Sequence, residues 1–321
     1  MVRGREARAP ILAGAMPSHR IERDSVLGEV STMTTEATQS PCPLCASSSI
    51  RFKQIRSLGI HRCSGCGHFF HPVDRPLEHI KSVYSDNYFS HSSEGYQDYL
   101  QEEPNQRRSA KFYCGLISKY CSSPGALLDI GAASGFFLDE FQKLGWQGQG
   151  VEPNQRMRNV ALDRFKLPMV EALEQVSEAS PFQLVTMIQV ISHLLDPVAS
   201  LQRVHRALDR NGLLLIETWD RDSWIAKLSG NGWHEWNPPS VVHWFSRSSL
   251  RSVLESVGFE EVCSGIPRKR IQLGRAVAML RHSWKDSLAM RCVTTPLRIV
   301  PAGLSLPYLL GDAFWLLLRK K

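Results

Sequence analysis

The sequence predicts an α/β protein in which helices cover both faces of a mostly parallel, seven-stranded sheet, preceded by a small cysteine module. Three observations lead to this prediction. From Ala126 onward, short apolar runs alternate with amphipathic helices, as in βαβ units. A turn of small residues, Gly131–Gly135, follows the first apolar run. Two Cys-x-x-Cys pairs lie within residues 41–72, which we call the cysteine module.

The composition is that of a folded protein. The chain has 321 residues, of which 43% are hydrophobic and 21% charged, which suits one α/β domain plus a smaller module. The net charge of +7 is modest and spread along the chain, so nucleic-acid binding is not expected. The apolar stretch 297–318 is broken by prolines and is therefore a poor candidate for a membrane-spanning helix. With no convincing signal peptide, we expect a cytoplasmic protein; peripheral membrane contact stays open.

We divide the chain into four regions. Residues 1–40 have no sustained periodicity and are predicted to be disordered. The cysteine module follows, and residues 73–124 form a tyrosine-rich helical connector that we expect to cover the site. Residues 125–321 form the sheet domain, with an insertion at about 265–311 that a minimal sheet does not need.

The first two units of the sheet are read from apolar runs and turn residues. Ala126–Ile130 is a strand, and the helix after the turn ends near Leu144, where Gly145 suits a C-cap. Gln149–Glu152 is the second strand, followed by a helix from about Gln155 to Phe165.

The remaining units follow the same rhythm. A short strand near Met169 precedes the strand Phe182–Ile188. Asp196 and Pro197 begin a helix well, because Asp caps free amides and Pro fits the first turn. We expect Asn211-Gly212 to end this helix. The elements that complete the domain are strand Leu213–Glu217, helix Ser248–Val257, and strands Phe259–Cys263 and Ala313–Leu318.

The four paired cysteines indicate a metal site. Cys42 and Cys45 form one pair, Cys63 and Cys66 form the other, and 17 residues separate the pairs. Each pair presents two thiolates on one tight turn, so two pairs complete a tetrahedral zinc site, whereas redox chemistry needs only one pair. A site closed by four cysteines predicts a structural zinc. Whether the module also docks a protein partner stays open.

The turn after the first strand and the carboxylate after the second indicate a nucleotide-like ligand. A dinucleotide site requires G-x-G-x-x-G, but here these positions hold Gly131, Ala133 and Phe136, and a bulky third residue disfavours that ligand. Glu152 ends the second strand, 21 residues after Gly131. A carboxylate there can accept hydrogen bonds from both hydroxyls of a ribose.

Three segments together resemble a known family. Asp129–Gly135, Val151–Pro153 and Val190–Pro197 are similar to the class I S-adenosylmethionine-dependent methyltransferases, which have a Rossmann-like fold. The resemblance runs from about Tyr84 to the C-terminus. Within that class, the sequence is similar to bacterial enzymes that have an N-terminal zinc ribbon.

The resemblance implies a cofactor and a set of residues that bind it. Asp129 and the turn would hold the methionine end of S-adenosylmethionine, Glu152 the ribose, and Gln189 would lie beside the cofactor. The implied cofactor-binding residues are Asp129, Gly131, Ala132, Ala133, Gly135, Glu152 and Gln189. The resemblance further favours a small-molecule acceptor such as a sugar, a quinone-like ring or a lipid precursor, methylated on oxygen or carbon.

Two histidines are candidate general bases. His193 follows the fourth strand of the predicted sheet, and His243 lies in the aromatic segment Trp233–Phe245. A base would help if the acceptor is a hydroxyl or an acidic carbon. The alternative for each histidine is a hydrogen-bonded structural role.

Two other functions stay open at this point. The chain could be a non-catalytic binding protein of methyltransferase-like fold. It could also be an RNA methyltransferase whose cysteine module grips nucleic acid, although Asn237-Pro238-Pro239 continues into Ser240 and so lacks the usual amino-methylation motif.

Overall fold

A computed structural model describes residues 40–90, 99–177, 181–273, 277, 304–308 and 310–321. The predicted disorder of residues 1–40 therefore falls almost wholly outside the described residues, as does most of the predicted insertion at about 265–311.

The described strands, in chain order, are β1 (Ser49–Ile55), β2 (Leu58–Cys63), β3 (Phe69–Phe70), β4 (Ala126–Ile130), β5 (Gln147–Val151), β6 (Met169–Val170), β7 (Phe182–Ile188), β8 (Leu208–Trp219), β9 (His243–Trp244), β10 (Phe259–Gly265), β11 (Arg270–Gln272), β12 (Ser305–Pro307) and β13 (Ala313–Lys320). The described α-helices are α1 (Pro76–Val83), α2 (Asp86–Ser90), α3 (Glu103–Ile117), α4 (Phe136–Gln142), α5 (Gln155–Phe165), α6 (Pro197–Ala207), α7 (Trp224–Ser229) and α8 (Arg247–Val257). Among the described residues, no helix is both long enough and apolar enough to cross a membrane.

Seven of the described strands form a large sheet in the order β10-β13-β8-β7-β4-β5-β6. Its pairs are parallel except that β13 runs antiparallel to both β8 and β10. The prediction of a mostly parallel seven-stranded sheet is confirmed. Because the chain moves outward from β4 through β5 and then returns to β7 on the other side, a crevice opens at the carboxyl ends of β4 and β7.

Side chains that alternate along the strands build a core on each face of the large sheet. Leu128 and Val185 belong to the core beneath α6 and α8. Their neighbours Leu127 and Leu184 belong to the opposite core beneath α3 and α4. Helices therefore cover both faces, as predicted.

Helix α6 begins as the sequence predicts, but it ends differently. The Asp196 side chain accepts a hydrogen bond from the Ala199 amide at 2.9 Å. Strand β8 then starts directly at Leu208, so Asn211, expected to end the helix, lies within the strand at φ 62°. The register with β7 shifts near this point, between Phe182 and Leu184. A bulge thus replaces the predicted turn, since a left-handed residue interrupts regular pairing.

The cysteine module shares a sheet with the larger domain. Strands β1, β2 and β3 form an antiparallel small sheet, and β9, which comes from between β8 and α8, is its fourth strand. In register, Phe69 faces Trp244 and Phe70 faces His243. The small sheet therefore extends beyond residues 41–72.

Candidate active site

A large cavity opens at the carboxyl ends of β4, β5, β7 and β8. Its volume is about 1620 Å³, and its wall includes Gly131, Glu152, Gln189 and Glu217, which lie at or near the carboxyl ends of these four strands. Single ligand sites of proteins usually measure about 300–1,000 Å³. The cavity is therefore large enough for a cofactor together with a second ligand.

The turn after β4 forms one wall of the cavity. Gly131 has φ 74°, and a Cβ built there would lie 2.3 Å from Val190 Cγ2. The amides of Gly131 and Ala132 donate to the Val151 carbonyl at 2.8 and 3.0 Å, which ties the turn to β5. A left-handed conformation and the absence of space both require glycine at residue 131.

Glu152 directly follows β5 and connects two segments of the cavity wall. Its Oε2 accepts a hydrogen bond from the Ala133 amide at 3.0 Å, and its Oε1 accepts one from the Asn154 amide at 2.8 Å. Only 4% of the residue is exposed, and burial raises the pKa of this carboxyl to about 7. A carboxylate oxygen can accept a second hydrogen bond, so both oxygens remain able to bind a ligand.

Asp129 lies near the end of β4 and is also buried at the cavity wall. Thr186 donates its hydroxyl to Asp129 Oδ1 at 2.6 Å. Burial raises the pKa of this carboxyl to about 7, and the nearby Glu152 carboxylate adds to the rise. Two buried carboxyls on one wall favour a ligand that brings a positive charge or hydroxyl donors.

Gly135 is placed differently from the other predicted cofactor-binding residues. Asp129, Gly131, Ala132, Ala133, Glu152 and Gln189 all line the cavity, and Gly135 is not among the described residues of its wall. Gly135 caps α4 at φ 78°, and a Cβ there would lie 2.6 Å from Leu167 Cδ1 and 3.0 Å from Ala161 Cβ. Its glycine is therefore explained by close packing of the turn against α5.

A network that sequence reasoning missed surrounds Glu217 at the end of β8. The Gln189 side-chain amide donates to Glu217 Oε1 at 2.7 Å, and Lys269 Nζ lies 2.8 Å from the same oxygen. The hydroxyl of Tyr113 donates to Oε2. Glu217 is fully buried, so these donors together compensate its charge.

The network also holds Gln189 in an uncommon backbone conformation. Gln189 has φ 62°, and its amide donates to the Glu217 carbonyl at 2.8 Å. Lys269 Nζ lies 4.1 Å from the centroid of the Trp219 ring. Glu217 ends a predicted strand, and a carboxylate at that position is a signal that the sequence offers. Lys269 lies in a run of basic residues, and nothing in that run indicates Glu217 as its partner.

His193 lies on the cavity wall beside the connector. Its Nδ1 is 2.6 Å from the Ser240 carbonyl oxygen, and the Tyr84 ring stands edge-on to it with 6.2 Å between centroids. A carbonyl only accepts hydrogen bonds, so Nδ1 carries the hydrogen and Nε2 keeps its lone pair. Burial lowers the pKa of His193. The ring is therefore a neutral base at neutral pH.

His243 occupies a different environment from His193. It is 2% exposed within β9 and is not among the described residues that line the cavity. Its Nδ1 lies 3.0 Å from His68 Nε2, and its ring also donates to the backbone carbonyls of Leu195 and Leu194. Since the ring is bonded to His68 and to the backbone and is outside the described wall of the cavity, the geometry does not support the expectation that His243 is a base.

The four cysteines predicted as metal ligands lie close together. All four Sγ atoms lie within 4.8 Å of one another, and the Cys42–Cys66 and Cys45–Cys63 Sγ distances are 3.7 and 3.4 Å. Tetrahedral ligation with Zn–S bonds of about 2.3 Å requires sulfur separations of about 3.8 Å. The amides of Gly65 and Cys66 both donate to Cys63 Sγ at 3.3 Å, which holds this sulfur at the turn. These cysteines could hold a tetrahedral metal ion.

The comparisons with known proteins agree with this fold. Ubiquinone biosynthesis O-methyltransferase of Rhodopseudomonas palustris strain HaA2 is 27% identical over a segment covering 40% of this chain and 57% of that protein. The protein of the same name from Bradyrhizobium diazoefficiens is 28% identical with the same coverage. The chain therefore spans less than two thirds of the length of these relatives.

A solved structure and a family match complete the comparison. The 1,6-didemethyltoxoflavin-N1-methyltransferase of Burkholderia thailandensis, solved with 1,6-didemethyltoxoflavin and S-adenosylhomocysteine, has a TM-score of 0.50 at 15% identity, covering 79% of this chain and 96% of that one. At this identity the likeness concerns the fold alone. The family described as "Methyltransferase domain" matches residues 100–264, just over half of the sequence. The chain therefore belongs to the methyltransferase-domain family of enzymes.

Proposed function

We propose that this protein transfers a methyl group from S-adenosylmethionine to a small-molecule acceptor. The observation that carries the proposal is the pair of buried carboxyls, Asp129 and Glu152, on the wall of a cavity closed by a turn of small residues. Family membership supports methyl transfer, and the substrate class is our inference.

The residues at the turn fit this cofactor. S-adenosylmethionine carries an ammonium group and a ribose with two hydroxyls, which match carboxylates at Asp129 and Glu152. Gly131 lines the cavity without a side chain, which allows its backbone to approach a ligand. Gln189 lines the same cavity. When bound, the cofactor supplies an electrophilic methyl group on a sulfonium.

The acceptor is expected on the other side of the cavity, toward His193. Tyr84, Tyr88, Trp219 and Tyr308 line the cavity, and the Tyr84 ring contacts His193. Such aromatic rings suit a flat or partly apolar acceptor. His193 Nε2 would accept the proton that a hydroxyl or an acidic carbon loses as it takes the methyl group. The names of the curated relatives favour an O-methylated quinone-like ring over a sugar or lipid precursor.

We further propose that the four cysteines bind one structural zinc. Their spacing in the sequence and the separations of their sulfur atoms support this, and a site closed by four thiolates leaves no position for a substrate. Metal analysis of the purified chain should find about one zinc per chain. Substituting Cys42 and Cys63 by serine should release it, and a protein without zinc would contradict the assignment.

The decisive experiment is calorimetry with S-adenosylmethionine and S-adenosylhomocysteine, followed by a methyl-transfer screen over phenol, sugar and lipid acceptors. We expect both ligands to bind and a phenolic acceptor to be methylated. His193→Asn should abolish transfer while the cofactor still binds. No binding of either ligand would favour a non-catalytic protein, and a steep salt dependence of RNA binding would favour a nucleic-acid substrate.

A further inference from the structure

The cysteine module is joined to the acceptor side of the cavity by a continuous set of hydrogen bonds. We propose that the metal-bound module positions the loop that carries His193, and that His243 is the positioning residue that connects the two. This inference rests on the proposed function, because it assigns the module a role in the same site. It also gives His243 a role other than the base that its sequence suggested.

The first step of the connection is the pairing of β3 with β9. Phe70 pairs with His243 across the small sheet, and the His71 amide donates to the Val242 carbonyl at 2.8 Å. Beside this pairing, His68 Nε2 lies 3.0 Å from His243 Nδ1. Strand β9 therefore takes its position from the module.

The second step runs from His243 to the loop after β7. The His243 ring donates to the carbonyls of Leu194 and Leu195, the two residues that follow His193. His68 Nε2 and His243 Nδ1 lie at hydrogen-bond distance, so one ring donates to the other. The two rings thus form a hydrogen-bonded relay between the module and the His193 loop.

The third step runs along the backbone next to β9. The Val242 amide donates to the Ser192 carbonyl at 3.0 Å. Ser240, two residues earlier, offers the carbonyl that accepts from His193 Nδ1 at 2.6 Å, and the Tyr84 hydroxyl reaches the same carbonyl at 3.3 Å. The carbonyl of Ser240 selects the tautomer of His193, so the placement of this segment determines whether Nε2 can act as a base.

A metal ion would stabilise the module, which has little core of its own. Its strand β3 has two residues, and chain segments below about 40 residues rarely fold without a metal, disulfides or a partner. Cys63 ends β2 and Cys66 precedes β3, so one ion would fix the turn between these strands. In that turn the Cys63 amide donates to the His68 carbonyl at 2.9 Å. The metal therefore sets the position from which His68 reaches His243.

An apolar cluster reinforces the same connection. One buried cluster joins the module to the larger domain. It contains Ile60 of β2, Trp244 of β9, and Trp233 and Val241 of the segment between β8 and β9. Arg221, which follows β8, donates to the Gly67 carbonyl at 2.8 Å. The module thus contacts the segment that shapes the acceptor side, whereas the cofactor side is built from β4, β5 and their turns.

Amide hydrogen exchange on the full chain, with its metal and after chelation, tests the role of the metal. We expect exchange to become about tenfold faster in residues 190–195 and 238–245 after chelation, while residues 126–135 and 147–154 keep their protection. Binding of S-adenosylhomocysteine should stay within about threefold. Unchanged exchange at 190–195, or equal acceleration everywhere, would overturn the proposal. Failure of the untreated chain to bind this ligand would count against the proposed function instead.

The substitution His243→Phe tests the relay with the metal site intact. It preserves the ring shape and removes both hydrogen bonds, so we expect the ¹⁵N signals of the His193 ring to move from the Nδ1–H tautomer to a mixture of tautomers. His205→Phe on α6 is the matched control and should leave these signals unchanged, and metal content should stay the same in both variants. If His243→Phe retains zinc and leaves the His193 tautomer unchanged, His243 is not a positioning residue. Restoration of the Nδ1–H signal by His243→Gln, whose amide can also donate and accept, would support the relay.

Discussion

Truncating Glu152 tests the cofactor assignment most directly. The substitution Glu152→Ala removes a carboxylate that accepts the Ala133 amide at 3.0 Å and the Asn154 amide at 2.8 Å. In the proposed complex the same carboxylate also accepts two ribose hydroxyls. The substitution therefore removes up to two charged hydrogen bonds to the ligand and two to the backbone.

The expected loss follows from the strength of such bonds. A hydrogen bond to a charged group contributes about 1.5–3 kcal/mol, and two neighbouring bonds add less than their sum. A loss of about 3 kcal/mol corresponds to a Kd for S-adenosylmethionine that is raised about 150-fold. The Ala133 and Asn154 amides also lose their partner, so we expect the free energy of unfolding to fall by about 2 kcal/mol.

Calorimetry and thermal unfolding measure the two effects separately. Glu174→Ala is the control, because Glu174 lines the same cavity with an exposed side chain, and its Kd should change by less than about threefold. If Glu152→Ala folds and binds S-adenosylmethionine within threefold of the unsubstituted protein, Glu152 does not hold the ribose. A lower unfolding temperature with unchanged affinity would assign it to the turn alone.

Three further outcomes follow from the cavity. Because burial raises the pKa of Asp129 and Glu152 to about 7, the ligand-free protein should lose stability as pH rises from about 4 to 7, since the folded state holds protons that the unfolded chain has released. Binding of S-adenosylmethionine should then release protons near pH 7, and its affinity should increase between about pH 6 and 8. Calorimetry in buffers of different ionisation enthalpy measures the proton release, and proton uptake on binding would contradict this expectation. Lys269→Met should lower the free energy of unfolding by about 3 kcal/mol, because it leaves Glu217 without its cation, and adding Glu217→Gln should recover part of this loss in urea titrations. Gly131→Ala should weaken cofactor binding about tenfold or more, because φ 74° and a close neighbour disfavour a side chain; unaltered binding would show that the turn can relax.

Local patterns were sufficient for the large sheet and most of its cofactor side. Strand β4 and helix α5 have the predicted bounds, since apolar spacing and flanking turn residues specify each of them within a few residues. Asp129 and Glu152 meet at one wall because parallel strands bring their carboxyl ends to the same edge. For Gly135, the sequence indicated only that the turn requires glycine. It did not indicate whether the reason is contact with a ligand or packing within the protein.

Contacts between distant segments could not be predicted from the sequence. Lys269 and Glu217 are joined only when the segment after β10 folds back over the cavity. His68 and His243 are 175 residues apart in the chain, and nothing near either one indicates the other. Each of these residues has an ordinary local context, so a pattern search cannot select them.

By itself the sequence determined the sheet, the turn of small residues and the four clustered cysteines, because each depends on neighbours within one or two elements. Only the tertiary structure decided that β9 completes the small sheet, and so which histidine faces the cavity. The reason is physical: His193 and His243 both have apolar neighbours in the sequence, and their chemistry differs through partners brought from remote segments. His193 Nε2 keeps its lone pair because the Ser240 carbonyl accepts a hydrogen bond from Nδ1, whereas the His243 ring is bonded to His68 and to the backbone after His193.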